Sequence, residues 1–89
     1  MIKFTEKSIA NLMEAAEELC HARMLTIADA IIKDMIQKSQ NAVSPRIEQY
    51  VTPDGHRAVK VVIDDVEQLK IANKLGLFDR AKEVINEHI

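Results

Sequence analysis

The sequence of 89 residues has few of the side chains on which several functional classes depend. It has no tryptophan, three other aromatic residues (Phe4, Tyr50 and Phe78), two glycines, two prolines and one cysteine. So few aromatic rings leave little platform for stacking bases, and two glycines leave little backbone for cradling a phosphate. The single Cys20 excludes an intrachain disulfide and fits a reducing compartment.

The sequence also lacks charge of one dominant sign and long hydrophobic runs. Its net charge is −2, and acidic and basic residues are evenly distributed between the segments of the chain, so no segment forms a basic footprint for nucleic acid. No segment approaches the roughly 20 apolar residues of a membrane span, and the N-terminal segment has no apolar run of signal-peptide length. We therefore expect a cytoplasmic protein with no membrane partner and do not favour nucleic acid as a partner.

What the sequence does contain is typical of a globular protein. It is 47% hydrophobic and 29% charged, which predicts one domain over residues 1–89 with a core of aliphatic side chains. A single domain of this size buries a limited core, and association with a second copy would add to its stability.

A helical pattern fills the first part of the chain. Apolar residues recur at steps of three and four from Ile9 onward, after Thr5 as N-cap, and predict a helix from about Thr5 to Asn41. Such a helix would be about 50 Å long, against a diameter of about 30 Å for a compact domain of this length. Either the helix breaks near 23–27, or it is a long or gently kinked rod that pairs with another chain. We favour the rod.

The apolar arc of this helix widens after its first half and then covers more than half of the circumference. An arc of that width needs cover on two sides. We expect the chain's own hairpin and C-terminal helices on one side and a second subunit on the other, which predicts a homodimer through this helix, the hairpin edge, or both. The predicted interface residues are Met24, Ile27, Ile31, Ile32, Met35 and Ile36.

A β-hairpin is predicted over about 46–63. The sequence from Thr52 to His56, TPDGH, matches a type I turn with Gly55 in the left-handed position. This turn fixes the register, with the pairs Val51 and Arg57, Tyr50 and Ala58, Gln49 and Val59, Glu48 and Lys60, and Ile47 and Val61. Alternation then places Ile47, Val51, Val59, Val61 and Ile63 on one apolar face. The candidate polar contacts at the turn end are Tyr50, His56 and Arg57.

Two short helices complete the predicted fold. Asp64 and Glu67 resemble an acidic capping box that opens the first, which ends at Gly76, and the second begins near Asp79. The fold class is therefore a helix-dominated α+β domain: a long N-terminal helix, one hairpin and two C-terminal helices.

No set of residues in the sequence predicts catalysis or a cofactor. Glu18 and His21 have the Glu-x-x-His spacing of helical metal sites, but a dinuclear site needs two such motifs, so we predict no metal. Cys20 and His21 would point about 100° apart on a helix and cannot act as a nucleophile and base. His56 has no acidic partner in the hairpin register. We expect no enzyme activity.

Three functions are compatible with this sequence. The first is a small interaction protein, an inhibitor, adaptor or regulator that binds another macromolecule, as a homodimer, through apolar surface. The second is a ligand-binding oligomer with a pocket at the subunit interface closed by Arg23, His56 or Arg57. The third is a nucleic-acid regulator that uses the C-terminal helical hairpin, although acidic residues on its last helix oppose phosphates.

Overall fold

A computed structural model describes residues 10–13, 21–53, 55 and 57–88 of the chain. Its helices and strands follow one another as β1 (Ala10–Met13), α1 (His21–Lys38), β2 (Arg46–Val51), β3 (Arg57–Val62), α2 (Val66–Lys74) and α3 (Leu77–His88). The predicted fold class, a helix-dominated α+β domain with a hairpin and two C-terminal helices, is confirmed.

The start of the chain differs from the prediction. Residues Ala10–Met13 form a strand that pairs antiparallel with β3, so the predicted helix is wrong over this segment, and the described helix begins at His21. A spacing of three and four apolar residues favours a helix only locally. The uncovered edge of β3 offers a ladder of backbone hydrogen bonds, which no local pattern reveals. The predicted N-cap, Thr5, lies outside the described residues.

Helix α1 is continuous across 23–27, where a break was the alternative. Within this range the Thr26 hydroxyl donates to the carbonyl oxygen of Ala22 at 3.0 Å, as threonine does inside a helix. The helix ends at Lys38, before the predicted Asn41. The Asn41 N–H donates back to the Ile36 carbonyl oxygen at 2.9 Å, which closes the C-terminus in a Schellman-type turn.

The hairpin has the predicted register. All five predicted pairs between β2 and β3 are present, and Arg46 pairs with Val62 in addition. Gly55 has a φ of 84°, and its N–H donates to the Thr52 carbonyl oxygen at 2.9 Å, which closes the turn. The sheet has the order β1-β3-β2, so β3 is its central strand.

The core lies between α1, the sheet and α3. Val59, Val61 and Ile63 are fully buried on one face of the sheet and join the buried stripe of α1. Helix α3 contributes Leu77, Ala81, Val84 and Ile85 to the same cluster, so the apolar arc of α1 is covered on two sides by its own chain. This changes one expectation, because a second subunit is not needed to cover the arc.

Helix α2 begins one residue later than predicted, and helix α3 begins two residues earlier. Asp65, and not Asp64, is the N-cap of α2, where its carboxylate accepts from the N–H groups of Glu67 and Gln68. Asp64 binds Arg46 instead. Gly76, with a φ of 68°, follows the end of α2 as predicted, and α3 starts directly after it.

Candidate interaction site at the edge of the sheet

Strand β2 forms an outer edge of the sheet. Within the described part of the chain it pairs with β3 on one side and has no strand on the other. The strand is six residues long and contains neither proline nor glycine, the residues that most often interrupt pairing. An edge of this kind can accept an additional strand through its backbone.

The turn determines which backbone groups of β2 point outward. The Thr52 carbonyl bonds across the turn, so Thr52 directs its backbone polar groups toward β3. In an antiparallel ladder this direction alternates from residue to residue. Ile47 and Val51 therefore direct their N–H and C=O groups away from β3, toward the position of an added strand.

Val51 is the most exposed large apolar side chain within residues 22–88 as far as the structure describes them, with 66% of its surface accessible. It lies on the same face of the sheet as Val59 and Val61 because Gln49 pairs with Val59 and Ile47 with Val61. The predicted face is correct, but Val51 is exposed to solvent, which its place on an apolar face did not lead us to expect. The core cluster under this face includes Val59, Val61 and the flanking Ile47, and it does not extend to Val51.

A cleft of about 190 Å³ adjoins this end of β2. It is lined by Gln49, Tyr50, Val51 and Arg57, and we call it the hairpin cleft. The structure thus brings together Tyr50 and Arg57, two of the three predicted polar contacts. The third, His56, lies outside the described residues. Gln49 and Val51 were not predicted to belong to this site.

Tyr50 is held on the opposite face of β2 from Val51. Its ring is half-buried, and the Lys60 ammonium lies 5.3 Å from the ring centroid, a cation–π distance. Lys60 also reaches Glu48 at 3.3 Å, the predicted cross-strand ion pair. These contacts fix the orientation of the aromatic ring that lines the hairpin cleft.

An ion-pair network stabilises the other end of β2. Arg46 binds Asp64 at 2.7 Å and Glu48 at 3.0 Å. The hydrogen bonds from Arg46 lower the pKa of Asp64 and, with a second bond from Lys60, lower the pKa of Glu48. Both carboxylates are therefore firmly ionised at neutral pH, and the strand presents one cation and one anion along its length.

The predicted subunit interface on α1 is largely inside the molecule. Met24, Ile27, Ile31 and Met35 are buried in the chain's own core, so the prediction that a second subunit covers them is revised. Ile32 and Ile36 are half-buried. Ile36 borders an open depression with Lys33, Gln37, Gln40 and Asn41, so of the six predicted positions only these two isoleucines have part of their side chain at the surface.

Arg23, a candidate for closing a ligand pocket, is used inside the chain. It donates to the carbonyl oxygen of His88 and so connects the start of α1 to the end of α3. The His88 ring lies 2.8 Å from the Val84 carbonyl oxygen, and its Nδ1 donates to that oxygen. Arg23 therefore connects α1 with α3 and does not line the cleft that contains Tyr50 and Arg57.

The structure does not test the Glu18 and His21 motif. Glu18 lies outside the described residues, and only the backbone of His21 is described. Over the ranges that are described, no three His, Cys, Asp or Glu side chains come close enough to hold a metal ion.

The basic residues of α3 are occupied by the protein's own carboxylates. Arg80 binds Glu83 at 2.8 Å, Asp34 of α1 at 3.3 Å and Glu87 at 3.6 Å. Lys82 lies 4.0 Å from Asp79. Binding of phosphates by this helix would have to compete with these pairs, which weakens the case for a nucleic-acid interface on the C-terminal hairpin.

None of the helices in the described part of the chain has both the length and the apolar character needed to cross a membrane. Comparison with known proteins adds no relative: no protein-family model, no curated protein and no solved structure matches the chain.

Proposed function

We propose that the protein is a non-enzymatic, cytoplasmic interaction protein, an inhibitor, adaptor or regulator, that acts through protein–protein contact at the outer edge of β2. The observation that carries this proposal is the combination of a regular six-residue edge strand with the exposed Val51 at its end. Strand addition would supply affinity through the backbone, and alternate side chains would supply selectivity.

The hairpin cleft supports the same proposal. A strand added beside β2 would pass the cleft, where Tyr50 offers an aromatic surface and Arg57 a guanidinium group. Aromatic and arginine side chains are the types that contribute most at protein interfaces. The cleft is open and small, which favours a side chain of a bound protein over a separate small ligand as its occupant.

The experiment that tests the proposal compares two matched variants. Val51→Glu places a charge on the outer edge of β2, yet it faces Arg57 across the hairpin and should preserve the fold. Val66→Glu changes an equally exposed valine at the first position of α2, where an acidic residue is compatible with the helix. Each protein would carry an affinity tag and be recovered from the cells that normally produce it.

We expect the unchanged protein and the Val66→Glu variant to recover the same partner and the Val51→Glu variant to lose it. Recovery that is equal for all three proteins would contradict the proposed site. Circular dichroism of both variants would establish that the comparison concerns binding and not folding.

A further inference from the structure

The charges and apolar side chains of β2 are self-complementary in one antiparallel register. We propose that the strand added at the outer edge of β2 is β2 of a second copy of the chain, related by a two-fold axis through Gln49. This rests on the proposed function and names the partner at the same edge. The two three-stranded sheets would then form one continuous sheet.

In this register the apolar side chains pair with one another. Val51 would lie opposite Ile47 of the second copy, and the two-fold axis repeats this pair on the other side of Gln49. Both side chains belong to the face that packs on the helices within each chain, and Val51 is 66% exposed while Ile47 is half-buried. The pairing would therefore remove the exposed Val51 side chain from water.

The same register avoids contact between like charges. Glu48 would lie opposite Tyr50 of the second copy, which carries no charge, and Arg46 would lie opposite the uncharged Thr52. Glu48 is already held by Lys60 and Arg46, so it would enter the interface with its charge compensated. The alternation of backbone direction also fits, since Ile47 and Val51 would bond to each other through groups that face away from β3.

The neighbouring registers are less favourable. A two-fold axis through Glu48 would set two Glu48 side chains directly opposite each other, a like-charge pair that destabilises a sheet. An axis through Ile47 would pair Arg46 with Glu48 but would place Tyr50 and Val51 opposite residues that precede β2 in the second copy. The axis through Gln49 pairs residues 47–51 of the two β2 strands and places no like charges opposite each other.

Disulfide trapping tests the surface and the register together. In a Cys20→Ser background, Gln49→Cys would place two thiols at the two-fold axis, with their Cα atoms about 5.5 Å apart. This lies within the range of about 4.4–6.8 Å that a disulfide requires. The control Val51→Cys is also at an exposed position, but the two Val51 positions would be displaced by four residues, or about 14 Å along the strands.

We expect a dimeric mass for the unchanged protein by light scattering and covalent dimer under mild oxidation for Gln49→Cys, with little or none for Val51→Cys. A monomeric mass at every concentration, or crosslinking of Val51→Cys in preference to Gln49→Cys, would overturn the proposal.

The outcomes also separate this inference from the proposed function. If the protein is monomeric but still recovers a partner that Val51→Glu loses, the second copy is the wrong occupant and the edge binds a different protein. If neither self-association nor a Val51-dependent partner is found, both proposals fail.

Discussion

Individual aliphatic side chains in this protein differ sharply in their exposure to solvent. Ile31 has 1% of its surface exposed and lies at the centre of the stripe that α1 presents to the sheet and α3. Val51 and Val66 are aliphatic residues of the same kind, yet more than half of their surface is in water. Hydrophobic character alone therefore does not predict burial, and the position of each residue relative to the helix layer decides it.

Substitution of Ile31 should be far more costly than substitution of an exposed valine. We expect Ile31→Ala to lower the free energy of unfolding by about 2–5 kcal/mol because it removes buried contacts and leaves a cavity. Val66→Ala should change it by less than about 0.5 kcal/mol. Urea unfolding followed by circular dichroism measures both. Similar losses for the two variants would show that α1 does not form the core described above.

Acidification should weaken the ion pairs of Arg46. The pKa values of Asp64 and Glu48 lie below their ordinary values of 3.8 and 4.5 in the folded state. Their contribution to stability is therefore present above the ordinary values and is lost as the pH falls through the lowered ones. The contribution should be small, since both side chains are exposed to solvent.

An NMR titration of these two carboxyl groups would test this directly. In Arg46→Gln we expect Asp64 to return to its ordinary pKa, because Arg46 is the source of its shift, while Glu48 keeps part of its shift through Lys60. Ordinary pKa values for both groups in the unchanged protein would contradict the ion-pair network.

At the scale of the elements, local chemistry predicts the hairpin and not the first strand. The turn residues from Thr52 to Gly55 fix the register of β2 and β3, because only one pairing satisfies the turn. The pairing of Ala10–Met13 with β3 is remote in sequence, and the apolar spacing there is compatible with a helix as well. The turn also places Val51 on the apolar face, but its exposure depends on how far the helices cover that face, which the turn does not determine.

The start of α2 depends on Asp65. We expect Asp65→Ala to lower the free energy of unfolding by about 1 kcal/mol because the N–H groups of Glu67 and Gln68 lose their acceptor. The matched control is Asp64→Ala, which leaves the cap intact. Chemical denaturation would measure stability, and amide exchange of Glu67 and Gln68 would show the effect at the helix end. A greater effect of Asp64→Ala on these two amides would contradict the assignment of the cap.

On the scale of the whole molecule, α1 and α3 form a layer whose polar side chains are engaged in contacts within the chain. Arg80 of α3 binds Asp34 of α1, and Arg23 of α1 binds the last turn of α3, so the two helices are joined at separate points along their length. The outer edge of β2 differs from this layer, since it combines backbone groups that point away from β3, an exposed apolar side chain and an adjoining cleft. This contrast is why we place binding at the edge and not on the helices.

The most direct test of that placement is amide hydrogen exchange, resolved residue by residue by NMR, in dilute and concentrated protein and with any partner recovered from cells. We expect the amides of Ile47 and Val51 to exchange rapidly in the unbound chain and to become protected when the edge is occupied, while the exchange of α2 stays unchanged. Amides of Ile47 and Val51 that exchange equally in all samples, or new protection confined to α1, would contradict the account.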